Sequence, residues 1–154
     1  SSHFNPVVSM VMLVRKEIST QECTIFIILQ ISGAILGVML ANYIFELDPV
    51  LFSEKPRSGT HLFVSEILAT FGLLMVILLS SKEKVAVTVA AYIGAAYWFT
   101  SSTSFANPAG TIGRSFSNTF AGISTNDILH FCVAQIIGAF LALIVYRTFF
   151  ESQK

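Results

Sequence analysis

Charge is scarce in this chain. Nine basic and nine acidic residues among 154 amount to 12%, about half the share of an ordinary soluble domain, and the two signs cancel. So thin and balanced a charge gives no basic face for a nucleic acid, and none is expected as a partner. Cysteine is scarce too: Cys23 and Cys132 lie in or at the edge of apolar runs, without the spacing of a metal site, and read as buried small hydrophobes. The three histidines, His3, His61 and His130, have no second ligand at i+4 and no carboxylate partner nearby. Nothing reads as catalysis, and neither an enzyme, a cofactor nor a metal is expected. No cleavable signal is visible, and Ser1 stands where an initiating Met would.

Apolar sequence is abundant. The chain is 54% hydrophobic with a mean hydropathy of +0.73, which points to an all-α integral membrane protein. Cys23 to Phe45 is an apolar run long enough to cross a bilayer, with Gln30 and Asn42 as its strongly polar members. After a polar loop, Glu46 to Thr60, a second span covers His61 to Leu79 and contains Glu66. A tight charged turn, Ser80 to Lys84, leads to a weaker, alanine-rich third span from Val85 to about Thr100; a fourth covers Ile128 to Phe150.

Two stretches read as half-helices rather than spans. Asn107-Pro108 opens one of them: Asn is a favoured N-cap, and Pro suits the first helical position, where its missing N–H would be unpaired anyway. The spacing predicts a short helix from Pro108 to about Phe120. Asn5-Pro6 opens a matching signal that ends at Arg15-Lys16-Glu17. Arg15, Lys16, Lys82, Lys84, Arg147 and Lys154 fall on one side of the alternating spans, and only Lys55 and Arg57 on the other. That bias puts the C-terminus in the cytoplasm, and the two half-helices then enter from opposite faces.

An internal repeat agrees. Residues 29–37 and 134–142 match at Gln30/Gln135, Gly33/Gly138, Ala34/Ala139 and Leu36/Leu141, each set 25 to 28 residues after its own Asn-Pro. The matching spans run in opposite directions, the trace of an inverted-topology repeat. Gly33 with Gly37, and Gly138 with Ala142, form small ridges that let helices approach closely.

With His3-Phe4-Asn5-Pro6-Val7, Asn107-Pro108-Ala109 and Glu66 in this order, the chain resembles the aquaporin, or major intrinsic protein, family. The resemblance runs from residue 1 to 154 as one transmembrane domain. It implies an hourglass pore of six spans and two re-entrant half-helices, of which this chain looks like the last two-thirds, N-terminally incomplete. A homotetramer in the plasma (inner) membrane, passing water and small neutral solutes, is implied as well. Two departures stand out: Val7 replaces the Ala of the first motif, and Gly110 stands where the family usually has Arg, with Arg114 four positions later. Counting from the second motif assigns Ala95, Ser104 and Gly110 to the outer filter, all small, which favours solutes wider than water such as glycerol, urea or metalloid hydroxides. Arg114 either reaches back to the constriction or lines the outer vestibule.

The paired Asn side chains would each cap a helix and still offer two amide hydrogens to a permeating water. Two helix N-termini would add about half a positive charge each and repel cations and hydronium. In the resembled family the glutamate at Glu66 braces the re-entrant loop; a proton relay would want further acids inside spans, and none is present. Two rivals remain: a secondary transporter with a midplane site between broken helices, and a non-conducting remnant whose pore lacks one wall.

Overall fold

The computed structural model describes residues 3–151. In chain order the helices are α1 (Pro6–Val14), α2 (Thr20–Ile44), α3 (Thr60–Leu79), α4 (Val85–Phe99), α5 (Pro108–Arg114) and α6 (Ile128–Phe149), the last preceded by a 3-10 turn, Thr125–Asp127. No strand occurs among the described residues. The chain is an all-α membrane protein. Helix α2, helix α3 and the 3-10 turn with α6 are each long and apolar enough to cross a bilayer. Helix α4 covers the expected third span and ends at its C-cap Thr100; its 15 residues rise about 22 Å.

The chain divides into two compact units. The first comprises residues up to Ser58 together with Asn107–Cys132. Its axis is α2, 25 residues and about 37 Å long. A capping box starts it: the Glu22 N–H donates to Ser19 Oγ at 3.2 Å, and the Ser19 N–H donates to the Glu22 carboxylate at 2.7 Å. Helix α1 reaches α2 through a five-residue turn in which Lys16 takes a left-handed φ of 60° and Arg15 pairs with Glu17 at 2.7 Å. The chain after α5 meets the other end of α2, where Asn42 Nδ2 donates to the Phe116 carbonyl at 2.8 Å. Close to the middle of α2, α5 lies directly on Ala34: a Cβ added to Gly113 would stand 2.8 Å from the Ala34 carbonyl oxygen. The two short helices thus extend from opposite ends of α2 toward its middle. Together their 16 residues rise about 24 Å, most of the thickness of a hydrocarbon core.

Helix α5 stops at Arg114, well short of the expected end near Phe120. Past that point the backbone is bound from outside. The Ser53 N–H takes the Ser115 carbonyl at 2.8 Å, the Leu51 N–H takes that of Phe116 at 3.3 Å, and Asn42 takes Phe116 as well. Those carbonyls have exchanged helical partners for the α2–α3 loop, and serine and asparagine in Ser115-Phe116-Ser117-Asn118 are poor helix formers.

The second unit comprises Gly59–Ala106 and the chain from Val133 on. Helices α3 and α4 return antiparallel through the turn at Ser81–Lys84. Tyr92 fills the notch over Gly72, and its hydroxyl donates to the Ala69 carbonyl at 2.8 Å. Helix α6 approaches α3 closely at Gly138, where a Cβ would stand only 2.4 Å from the Ile67 carbonyl oxygen. Its repeat mate Gly33 has nothing within 4 Å of the same position, so the two matching ridges differ in what they pack against.

Candidate functional site

Within the first unit the tips of α1 and α5 come together. Each tip is built by its Asn. Asn5 holds an extended backbone, φ −149°, and its Oδ1 accepts the Val7 N–H at 3.2 Å. Asn107 does the same at φ −157°, accepting from Ala109 at 3.0 Å and Gly110 at 3.3 Å. Pro6 and Pro108 occupy the first helical position in each case. A second layer repeats as well: Ser9 Oγ donates to the Asn5 carbonyl at 3.4 Å and Thr111 Oγ1 to that of Asn107 at 2.9 Å. The sequence repeat is therefore a repeat of hydrogen bonding.

The contact between tips is direct. Asn107 Nδ2 donates to the Phe4 carbonyl at 3.0 Å, the residue before the Asn5 cap. One of the two Asn107 amide hydrogens is therefore engaged by the Phe4 carbonyl, where the sequence suggested that both stayed available. Behind the tips Gln30 of α2 ties the entry to α1, its Nε2 donating to the His3 carbonyl at 2.9 Å and to Ser9 Oγ at 3.0 Å. His3 Nδ1 lies 3.3 Å from Ser9 Oγ, and its ring tilts against Phe26 at 5.1 Å. A cavity of about 470 Å³ opens beside this junction, lined by Phe4, Gln30, Gly33, Asn107 and Gly110 among others.

Val7 and Ala109 are buried behind their caps, at 1% exposure each. Gly110 faces the cavity, and a Cβ there would meet only Asn107, at 3.6 Å or more. Arg114 is the last residue of α5, half-buried, one turn further from the tip, and does not line the cavity. A cation there complements the partial negative charge of the helix C-terminus.

The second unit holds Glu66, Ala95 and Ser104. Glu66 is fully buried and its carboxylate collects three donors: the Phe105 N–H at 2.9 Å, the Ala106 N–H at 2.8 Å and Gln135 Nε2 at 2.7 Å. Beside it Ser65 Oγ donates to Ser102 Oγ and accepts the Ser102 N–H, both at 3.1 Å. These two adjacent α3 residues hold a loop in which Thr103, Ser104 and Ala106 all adopt left-handed φ, between 47° and 62°. L-residues reach that region at a cost of about 1–2 kcal/mol each, and the hydrogen bonds to the buried carboxylate offset it. Consecutive N–H groups turned toward one anion form a concave nest, which Glu66 fills. Ser104 is buried in that loop, while Ala95 is exposed on α4.

Sequence reasoning missed Ser65 and the left-handed run. A run of TSSTS before an Asn-Pro has no glycine to advertise positive φ, and its only outward signal is the acid inside α3. Among the described residues no group of three His, Cys, Asp or Glu lies close enough to hold a metal ion.

The family model described as Major intrinsic protein matches residues 1–146. Aquaglyceroporin AqpS of Rhizobium meliloti (strain 1021) is 44% identical over 149 residues, covering 95% of this chain and 64% of the relative. The chain thus spans just under two-thirds of the length of that curated relative.

Proposed function

Since the chain belongs to the major intrinsic protein family, we propose that its protein is a passive channel for water and small uncharged solutes that excludes protons. The observation that carries this reading is the junction of two Asn-capped helix tips beside a cavity, with Asn107 donating to the Phe4 carbonyl. A solute passing that junction meets the remaining amide hydrogen of Asn107 and two helix N-termini. Those N-termini turn the oxygen of a water toward them and oppose a positive charge. Fixed donors of this kind orient a hydroxyl-bearing molecule without binding it tightly, which suits conduction.

The permeant range extends beyond water. Ala95, Ser104 and Gly110, the positions assigned to the filter by resemblance, carry small side chains, and a Cβ added to Gly110 would be in ordinary contact with Asn107, at 3.6 Å, beside the cavity. The 44% identical relative bears the name aquaglyceroporin, in keeping with a glycerol-sized opening. Glycerol, urea and the uncharged hydroxides of arsenic and antimony are the proposed solutes, with Arg114 lining the outer approach. The six-to-two bias of basic residues supports a cytoplasmic C-terminus in the plasma membrane, and the protein is proposed to assemble as a homotetramer. Coupled transport is disfavoured by Glu66, whose three hydrogen bonds commit it to holding the loop.

The test is uptake by cells expressing the complete gene, comparing water, glycerol and arsenite for the parent and for Gly110→Arg. The parent is expected to pass all three, and Gly110→Arg to retain water and lose the larger two. A parent that passes water alone sinks the wide-filter part; a parent that passes none sinks the channel.

A further inference from the structure

The loop between α2 and α3 is laid along the chain that leaves α5 and is fastened to it at intervals. Besides the Leu51 and Ser53 bonds, the Glu54 N–H donates to Asn118 Oδ1 at 3.1 Å, and the Lys55 carbonyl accepts the Ser124 N–H at 2.7 Å. The fastening ends at Arg57, which is 7% exposed. Its Nε donates to the Gly122 carbonyl at 2.7 Å, its Nη2 donates to the Phe120 carbonyl at 2.9 Å, and its own N–H donates to the Asp127 carboxylate at 2.7 Å. One side chain thereby holds two carbonyls of the α5–α6 loop, while its backbone holds the turn that starts α6.

The segment so held is compact and has little freedom. Ser117 N–H closes on the Arg114 carbonyl at 3.3 Å and Gly122 N–H on that of Thr119 at 3.0 Å. A Cβ at Gly122 would stand 2.2 Å from the Ser117 carbonyl oxygen and 2.3 Å from Ser53 Oγ, so only glycine fits between loop and segment. The segment begins at Arg114 and presents the ring of Phe120, which is 86% exposed. A guanidinium is suited to this work because its planar fork donates to two carbonyls in fixed directions, which an ammonium does not do.

We infer that Arg57 is a positioning residue for permeation: by clamping the Phe120 and Gly122 carbonyls it fixes the outer end of the second half-helix and so sets the solute cut-off. The inference rests on the channel reading. It adds to that reading a residue that meets no permeating molecule in it and acts through segment 114–122. Loosening that clamp widens the range of positions open to Arg114 and Phe120, and larger solutes gain relative to water.

The experiment measures water, glycerol and erythritol permeability of vesicles carrying the full-length protein, parent against Arg57→Met and Arg57→Lys. The readout is the ratio of erythritol to water permeability, which does not depend on how many channels fold. Arg57→Met is expected to raise that ratio roughly three- to tenfold, the factor that about one hydrogen bond of ordinary net strength is worth. Arg57→Lys, which restores a donor without the fork, is expected to fall between Met and the parent. An unchanged or lowered ratio with either variant overturns the inference, whatever happens to protein yield. Should Arg57→Met not accumulate, the Lys variant decides alone: a raised ratio supports the inference and a parental ratio overturns it. A parent that conducts neither water nor glycerol is a failure of the channel reading and is read from the parent alone.

Discussion

Replacing Glu66 by Gln changes one oxygen to an NH2 group and leaves the volume of the side chain as it was. The carboxylate accepts from Phe105 through Oε1 and from both Ala106 and Gln135 through Oε2. A glutamine there has one oxygen for three donors. Its better orientation puts the NH2 where Oε1 was, which keeps Ala106 and Gln135 and turns a donor against the Phe105 N–H. One hydrogen bond to a charged group is lost, about 1.5–3 kcal/mol, and a buried N–H is left unpaired, about 1–3 kcal/mol. Removing a buried charge returns part of this. The net cost is then about 2–4 kcal/mol, and the left-handed residues Thr103, Ser104 and Ala106 lose the compensation that holds them in place.

For a chain of this size that cost lowers the midpoint of thermal unfolding by roughly 5–15 °C. The assay is thermal unfolding of the detergent-solubilised full-length protein, followed by stopped-flow solute flux in vesicles. Glu66→Gln is expected to unfold earlier and, where folded, to conduct with a less uniform rate. Glu66→Ala, which leaves all three donors without an acceptor, is expected not to accumulate. A Gln variant as stable as the parent and equally conductive would refute the brace. A parent that builds a proton-driven solute gradient, lost in a Gln variant of parental stability, would refute the channel in favour of coupled transport.

Gly138→Ala forces a Cβ against the Ile67 carbonyl and is expected to cost about 1–3 kcal/mol or more, whereas Gly94→Ala, with nothing within 4 Å, is expected to be neutral or stabilising by up to about 1 kcal/mol. Thermal unfolding of both variants checks this, and equal midpoints contradict the packing. Asn107→Asp removes the donor to the Phe4 carbonyl and sets a carboxylate at the junction of two helix N-termini; a proton or sodium leak absent from the parent is expected in dye-loaded vesicles. Asn5→Asp is expected to do the same, and intact exclusion in both variants argues that the tips do not form the barrier.

What was legible in the sequence, and what was not, follows from where the information lies along the chain. Asn5-Pro6 and Asn107-Pro108 announce helix starts because a cap is a local device: the side chain that accepts sits two or three residues from the N–H groups it serves. The spans were legible for the same reason, since an apolar run of the right length states its own boundary. The end of α5 was not, because what terminates it is the N–H groups of Leu51 and Ser53, more than sixty residues away, and backbone groups leave no mark on composition. The positive φ of Ser104 and Ala106 was hidden likewise, since the force that holds them comes from Glu66, some forty residues upstream. Arg57 passed for a loop charge on the less basic side, and its partners are carbonyls that every residue carries. The one signal that gave any of this away was an acid inside an apolar run. A carboxylate in that setting must find donors, and the nearest unpaired ones belong to a loop too short and irregular to satisfy itself. Glu66 was therefore readable as an acid in need of donors, its part as a brace coming from the family resemblance, and Arg57 was not readable, because a cation in a polar loop has water as an alternative and its burial is decided by the fold alone.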